Sequence, residues 1–357
     1  MKLSDIRKQI DRLDGEILTK LNARARLAQK VGQCKKQAGE PFYVPNREEA
    51  LLAALAKKNK GPLGEKDVRA VYKEIISACI AQQTHLRIAY LGPEATFTHQ
   101  AALKNFGHAP LMRALTSIPD VFAAVERDEA DYGVVPIENS TEGAVFHSQD
   151  MLVNSELKII AQIFLPVSQC LLSNTPLSKI KQIVSKDVAL GQCRQWLLRN
   201  LPEGEWVECA STALAAQQAA KKPGVAAIAG TVAADIYGLK VLARDIQDCV
   251  KNVTRFLVLG KMPSGPTKGG IDRTSIVFSL NKDEAGSLEK ALMPFSTRGI
   301  SLSKIESRPS RSQLWEYFFF VDFLGHRDDK KIAAAMKELE LRCTFLKWLG
   351  SYPETQA

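Results

Sequence analysis

The chain has 357 residues, long for one hydrophobic core and on the scale of two or three domains at roughly 150 residues each. Hydrophobic residues make up 45% and charged residues 24%, globular proportions that exclude a disordered, collagen-like or all-coiled-coil chain. The net charge of +9 is uneven: residues 1–85 hold 17 Lys+Arg against 10 Asp+Glu, a surplus of 7, so an anion is expected to bind there.

At the start, Met1-Lys2-Leu3-Ser4-Asp5-Ile6-Arg7 places charges where a signal peptide needs an apolar run. No later stretch reaches roughly 18 consecutive apolar residues, so the expectation is a cytoplasmic protein without membrane contact. Residues 4–36 set Ile6, Ile10, Leu13, Ile17 and Leu21, then Leu27, Ala28 and Val31, at helical spacing, with Gly15 and Gly32 as weak points. This predicts one long amphipathic helix, whose stripe needs a partner subunit to cover it. Gly39-Glu40-Pro41 stops it. A second helix is expected from Pro45, with Asn46 as N-cap and Glu49 as its capping-box partner, and a third over residues 65–84.

From Leu86 the texture changes to short β-branched runs alternating with helical segments, the pattern of an α/β domain. Strands are expected at 87–91, 132–136, 157–166, 182–185, 206–209, 225–228 and 256–259. Ser117-Ile118-Pro119-Asp120 and Ser211-Thr212 read as helix starts. Pro263-Ser264-Gly265-Pro266-Thr267-Lys268-Gly269-Gly270 is the best linker. Beyond it, strand 274–280, helix 286–297, strands 300–308 and 314–323, helix 330–341 and a short strand 345–350 make a compact α+β unit. The expected division is 1–85, 86–262, linker 263–271 and 272–357. The seven cysteines (Cys34, Cys79, Cys170, Cys193, Cys209, Cys249, Cys343) form no Cys-x-x-Cys pair, so a disulfide framework or zinc site is not expected and buried thiols are.

Within the helical segment Arg24 and Lys35 are eleven residues apart, which returns them to nearly one face about 16 Å apart. Two long cations at that spacing can converge on a small anion. Arg7 lies seventeen residues before Arg24, about 26 Å away and roughly 100° round the helix, so it cannot serve the same site in the same subunit. Each charge reads equally as a solvated helix surface. Nucleic acid is disfavoured by the scarcity of aromatics and the absence of a basic run.

As a set, however, Ile6-Arg7-x-x-Ile10-Asp11-x-Leu13-Asp14, Arg24, Val31-Gly32-x-x-Lys35, Arg47-Glu48 and Ile75 to Gln83 resemble the all-helical chorismate mutases. The resemblance implies an intertwined homodimer in which Arg24, Arg47 and the partner's Arg7 hold the two carboxylates of chorismate. Lys35 and Gln83 would then bond the ether oxygen, and Glu48 the ring hydroxyl. The rearrangement to prephenate is pericyclic, so a cage of cations and amides suffices and no nucleophile is needed.

Three clusters stand out in the α/β segment: Gly92-Pro93-Glu94-Ala95-Thr96-Phe97-Thr98-His99, Val135 to Gly143, and Asn252-Val253-Thr254-Arg255-Phe256. Each alone is compatible with turn and capping chemistry. Together, and above all through Pro136-Ile137-Glu138-Asn139-Ser140 and Thr254-Arg255-Phe256, they resemble prephenate dehydratase. That implies two periplasmic-binding-like α/β lobes with the site in the cleft and the strand at Phe256 returning to the first lobe. It also implies Thr254 as the hydroxyl that assists departure of the ring OH, with Thr96, Asn139, Ser140 and Gln192 lining the cleft and Arg255, with Phe256 beside it, facing a substrate carboxylate. Ser185-Lys186-Asp187-Val188 stands where the family often has Ser-His-Pro-Gln, and Leu214 where an acidic residue is common.

The last segment resembles the ACT regulatory domain of the same enzymes through Glu306-Ser307-Arg308-Pro309 and through Gly286-Ser287-Leu288 at a strand-to-helix turn, where the usual Arg-Pro precedes and Glu284-Ala285 stands here. A helix start after Gly seats a carboxylate well, and Glu306 is placed to take an ammonium. The implied effector is L-phenylalanine. The fold class expected is thus a multidomain chain: all-α head, two-lobed α/β domain, βαββαβ C-terminal domain. The function expected is a bifunctional, metal- and cofactor-free enzyme converting chorismate to prephenate and prephenate to phenylpyruvate, a homodimer or larger. Two other readings are a monofunctional dehydratase with an inactive head and an amino-acid-sensing regulator touching DNA. The latter is disfavoured by the absence of helix-turn-helix spacing.

Overall fold

The computed structural model describes residues 2–249, 251–281, 285–309 and 317–355 and has the three expected parts. Glu284 and positions 314–316 of the expected penultimate strand lie outside the described residues. The head is three helices: α1 (Leu3–Ala38), α2 (Pro45–Lys58) and α3 (Glu65–Ala81). α1 has 36 residues, which at 1.5 Å each is about 54 Å. Gly32 is its one buried residue among those described, while Ile6, Ile10, Leu13 and Ile17 are between 37% and 54% exposed. Only the C-terminal part of this helix is covered by its own chain. Asn46 is not the N-cap of α2. Pro45 occupies the first turn with Val44 before it, because proline needs no N–H acceptor there. The Asn46 amide instead donates to the carbonyl of Pro266 in the linker, at 3.1 Å.

The connector between α1 and α2 is anchored in the next domain. Tyr43 is 4% exposed, its ring 4.8 Å from that of Phe106 and 5.4 Å from that of Tyr132. Its hydroxyl accepts from Asn105 Nδ2 at 2.9 Å, and burial pushes its pKa well above the usual tyrosine value.

The first lobe runs β1 (Arg87–Leu91), α4 (Phe97–Phe106), β2 (Leu111–Leu115), α5 (Ile118–Glu126), β3 (Tyr132–Asn139), β4 (Gly143–Ala144), α6 (Phe146–Asn154) and β5 (Lys158–Pro166). The chain then crosses to a second lobe. There β6 (Cys170–Leu172), β7 (Gln182–Ser185), α7 (Asp187–Gln192), α8 (Arg194–Asn200), β8 (Glu205–Glu208), α9 (Thr212–Lys221), β9 (Val225–Ala229), α10 (Thr231–Tyr237) and β10 (Val241–Ala243) form a five-stranded sheet of order β10-β6-β9-β7-β8. β11 (Val253–Gly260) returns to the first lobe and pairs antiparallel with both β3 and β5, giving the order β2-β1-β3-β11-β5.

Two strands are longer than their sequence pattern. β3 runs past Pro136 to Asn139 because that proline sits where the register shifts against β11, the one place an inner strand tolerates a missing donor. β11 begins at Val253, which brings Thr254 and Arg255 into the ladder. The unexpected strands are β2, β4, β6 and β10, all edge or near-edge pieces; β4, β6 and β10 have only two or three residues, too few to show alternation.

The C-terminal unit is β12 (Asp272–Ser279), α11 (Ser287–Ser296), β13 (Leu302–Pro309), β14 (Tyr317–Leu324), α12 (Lys330–Glu340) and β15 (Phe345–Pro353), a βαββαβ unit of sheet order β13-β14-β12-β15. One sheet face packs on the two helices through Ile276, Phe278, Phe295, Val321 and Phe323. Val277, Phe320, Leu349 and Tyr352 on the other face merge with Leu257 of the first lobe into a single core. All seven cysteines are free thiols; contrary to the expectation of burial, Cys34 and Cys249 are exposed and Cys209 and Cys343 half-buried, Cys34 because it lines an open cleft between the head's helices. Among the described residues no helix is long and apolar enough to cross a membrane.

Candidate active sites

An open cleft of about 870 Å³ lies where α1, α2 and α3 meet. Arg24, Lys35, Arg47, Glu48 and Gln83 all line it, together with Lys30 and Glu40. Arg7 does not, as its helical position requires. Among the described residues neither Arg24 nor Arg47 is paired with a carboxylate, so the wall carries uncompensated positive charge. Lys35 Nζ donates to the carbonyls of Pro41 and Phe42, both at 2.9 Å. These two bonds aim the ammonium and leave its third proton for a ligand. Burial, and then the charge of Arg47, lower its pKa against the pull of Glu40. Glu48 is held by Lys73 of α3, a partner that sequence spacing did not single out.

α3 ends at Ala81, so Gln83 sits in the turn beyond it rather than on the helix; its N–H closes that turn on Ile80. Its side-chain oxygen is buried with no protein partner. Gly32, a weak point by propensity, is the reason Gln83 fits: a Cβ there would stand 2.8 Å from the Gln83 Cβ. Gly32→Val is therefore expected to displace Gln83 and destabilise the head by about 1–3 kcal/mol through overpacking. Rates of chorismate turnover should fall by up to about 10²-fold from the misplaced amide, while turnover by the α/β unit is unchanged. Equal chorismate kinetics in parent and variant would exclude this role for the contact.

A second cluster spans the two lobes. Asn139 Nδ2 donates to Thr254 Oγ1 and to Asn252 Oδ1, each at 2.8 Å, and Asn139 Oδ1 accepts from the Thr141 and Glu142 N–H groups. Gln192, at the end of α7 in the second lobe, takes the Asn252 amide at 3.2 Å and donates to Thr141 and Glu142 at 3.4 Å. Gln169, in the crossing segment, also donates to Gln192. Thr254 accepts from Asn139, and among the described residues nothing takes its hydroxyl proton. It is thus a polarised donor in the cluster that joins the two lobes.

Other residues named from sequence have different duties. Thr96 caps α4, accepting from His99 N–H and donating to the Leu91 carbonyl. Ser140 bonds Lys251 and Val253 across the β3–β11 end. Phe256 is 1% exposed in the first-lobe core. Arg255 does not face the cleft. Strand alternation sends it to the opposite face from Thr254, where it donates to Asp322 of β14 at 2.6 Å, to Tyr352 at 2.8 Å and to Gln162 at 3.0 Å. Burial raises the Asp322 pKa, but Arg255, the Ser275 hydroxyl and Arg273 outweigh it and hold the carboxyl below its usual range.

In the C-terminal unit Gly286 precedes α11 at φ +76°, a conformation that favours glycine, and Ser287 and Leu288 open the helix. Glu306 is not brought to that turn. It lies opposite Phe320 on the face turned to the first lobe and is bound by Lys304 at 3.0 Å and Gln149 at 2.9 Å. Arg308 shares that face, pairing with Asp150 at 2.6 Å and lying over the Phe146 ring. Ser307 is on the helix-bearing face with its register partner Phe319. Of the partners not singled out from sequence, Asn252, Thr141 and Glu142 lie inside recognised clusters and Lys73 lies two residues before one, but nothing in a one-dimensional pattern distinguishes a hydrogen-bonding member from a spacer.

Family models match along the chain: chorismate mutase type II over residues 6–84, prephenate dehydratase over 88–264 and ACT domain over 274–341. A bifunctional chorismate mutase/prephenate dehydratase of Aquifex aeolicus is 45% identical over 99% of this chain and 98% of its own. One from Neisseria gonorrhoeae is 44% identical over 97% and 96%. The crystal structure of a prephenate dehydratase in complex with L-Phe from Arthrobacter aurescens is 35% identical, with a TM-score of 0.70, over 76% of this chain and 93% of that one.

Proposed function

Since the chain belongs to the family of bifunctional chorismate mutase/prephenate dehydratases, we propose that the α1–α2–α3 cleft rearranges chorismate to prephenate and that the Thr254–Asn139 cluster converts prephenate to phenylpyruvate. The isomerase and lyase activities follow from membership over the full length; their assignment to these residues is ours. The observation that carries it is the convergence of Arg24, Lys35, Arg47 and Gln83 on one cleft from α1, α2 and the turn after α3.

In the head, Arg24 and Arg47 bind the carboxylates and select the compact conformer. The Lys35 ammonium and a Gln83 amide N–H donate to the ether oxygen, where negative charge builds as the C–O bond breaks. The bare apolar stripe of α1 and the position of Arg7 favour a homodimer in which each Arg7 completes the partner's cleft. In the lobes, loss of CO₂ supplies the electron pair that aromatises the ring while hydroxide leaves. The Thr254 hydroxyl, polarised by Asn139, donates to the departing oxygen. Gln192 closes the second lobe over the substrate. L-Phenylalanine is the effector this reading gives to the ACT domain, with Gly286, Ser287 and Leu288 at its carboxylate and Ser307 on the same sheet face. Cytoplasmic biosynthesis of an aromatic amino acid is the setting it implies.

The test is a coupled assay with chorismate as sole substrate. Phenylpyruvate should accumulate after transient prephenate. Arrest at prephenate would leave only the head active, and no consumption of chorismate, with turnover of added prephenate, would mark the head as inactive.

A further inference from the structure

The ladder that carries Thr254 is gripped from behind by the C-terminal domain. Thr254 lies opposite Asn139 and, one rung on, Arg255 lies opposite Glu138. The first pair faces the cleft, and the second faces the ACT sheet. There Arg255 donates to Asp322 at 2.6 Å, and Lys304 donates to Glu138 at 2.8 Å. Arg255 and Glu138 stand 4.0 Å apart, so four charges from two domains form a chain, Asp322–Arg255–Glu138–Lys304. Lys304 extends the chain to Glu306 on the same strand, β13, and Glu306 accepts from Gln149 of α6. Arg273 and Glu354 continue it on the other side, with Arg273 at 3.6 Å from Asp322 and 2.6 Å from Glu354. Arg255, Asp322, Arg273 and Lys304 are all less than one-fifth exposed, so their geometry is set by each other rather than by water.

We propose that Arg255 and Glu138 are positioning residues for the Thr254–Asn139 pair, and that Asp322 and Lys304 let the ACT domain set that pair's geometry. The inference rests on the dehydratase reading above. Consecutive rungs of one ladder cannot move independently, because each shares backbone hydrogen bonds with the next and the interior is close-packed. A small slide of β13 and β14, as effector binding at the far end of this sheet would produce, is therefore delivered to the cleft face one residue away. Packed elements with alternative discrete arrangements convert such sub-ångström shifts into a change of state. The threonine does the chemistry, and the arginine ties it to the regulator.

Two full-length variants test this, Asp322→Asn and the milder Lys304→Gln, with mutase turnover of the same chain as the measure of intact folding. Dehydratase kcat should fall about ten-fold in each while KM for prephenate stays within about two-fold, as expected when a group already bound is misaimed. Asp322→Glu should restore most of the rate. The fractional effect of saturating L-phenylalanine on kcat should shrink in both variants, while calorimetry still detects its binding. The idea is overturned by a kcat within about two-fold of the parent in Lys304→Gln, by a loss confined to KM, by a parallel fall in mutase turnover, or by an undiminished response to L-phenylalanine. Should Asp322→Asn fail to fold, Lys304→Gln decides. Failure of the underlying reading shows separately, as an active Thr254→Ala.

Discussion

Thr254→Ala is expected to abolish phenylpyruvate formation while leaving chorismate consumption intact. The substitution removes the one hydroxyl in the interlobe cluster with a free proton, and a positioned proton donor contributes roughly 10²–10⁴-fold to such a step. It also leaves Asn139 Nδ2 one acceptor short, although Asn252 Oδ1 still holds it at 2.8 Å, so the β3–β11 ladder should persist. Thr254→Ser keeps the oxygen and the proton and should retain most of the rate, whereas Thr254→Val keeps the shape and should be as inactive as Ala. Following prephenate loss and phenylpyruvate appearance separately distinguishes these cases. An active Val variant, or a mutase that falls in step, would remove Thr254 from the chemistry.

Lys35→Ala should lower mutase turnover by about 10²–10³-fold, the range for deleting one donor aimed at developing negative charge. The helix should survive, since alanine is the better helix former. The pH profile supplies a second check. Burial and Arg47 hold the Lys35 pKa below the usual lysine range, so the unfolded chain binds this proton more tightly than the native one. The charged ammonium therefore weighs against folding at neutral pH, and that penalty is relieved as pH rises through the native value. Activity runs the other way, because the proton is what the ether oxygen needs. Mutase kcat/KM should decline on the alkaline side below the ordinary lysine value, with no loss of helicity. In Lys35→Arg the limb should vanish, even if the rate is lower. An alkaline limb unchanged in Lys35→Arg would assign it to another group.

The architecture was legible because each part has its own periodicity: 3.6 for the head, alternating β-branched runs for the lobes, and a Pro/Gly-rich break before the last unit. Orientation was not. Arg255 sits beside Thr254 in the sequence, and the period of two says only that the pair faces opposite ways; which face is the cleft depends on where the ACT sheet docks. The same holds for Glu306 and Arg308, read as ligand groups and found clasping α6. The strand ends were hidden by Pro136, which reads as a stop and is in fact a register shift. Arg24 and Lys35 were recoverable because helical spacing fixes a direction as well as an element, whereas Arg47, on another helix, came from the family resemblance. Gln83 needed α3 to end two residues before it, and the Gly32 contact needed both helices.

Tyr43 bears on what happens when this polypeptide is cut. Its ring fills the first-lobe core while its backbone belongs to the head, so the boundary near residue 85 is a covalent junction but not a physical seam. A protease nick there should not release the head: the two fragments would stay together through size-exclusion chromatography, held by the Tyr43 ring, whose removal from a core typically costs about 3–5 kcal/mol, and by the Asn46–Pro266 and Glu74–His108 hydrogen bonds. Expressed without residues 1–85, the lobes would open a hole beside Phe106 and Tyr132. The two halves of this enzyme are joined by more than the peptide bond at residue 85, with a tyrosine of one standing in the core of the other.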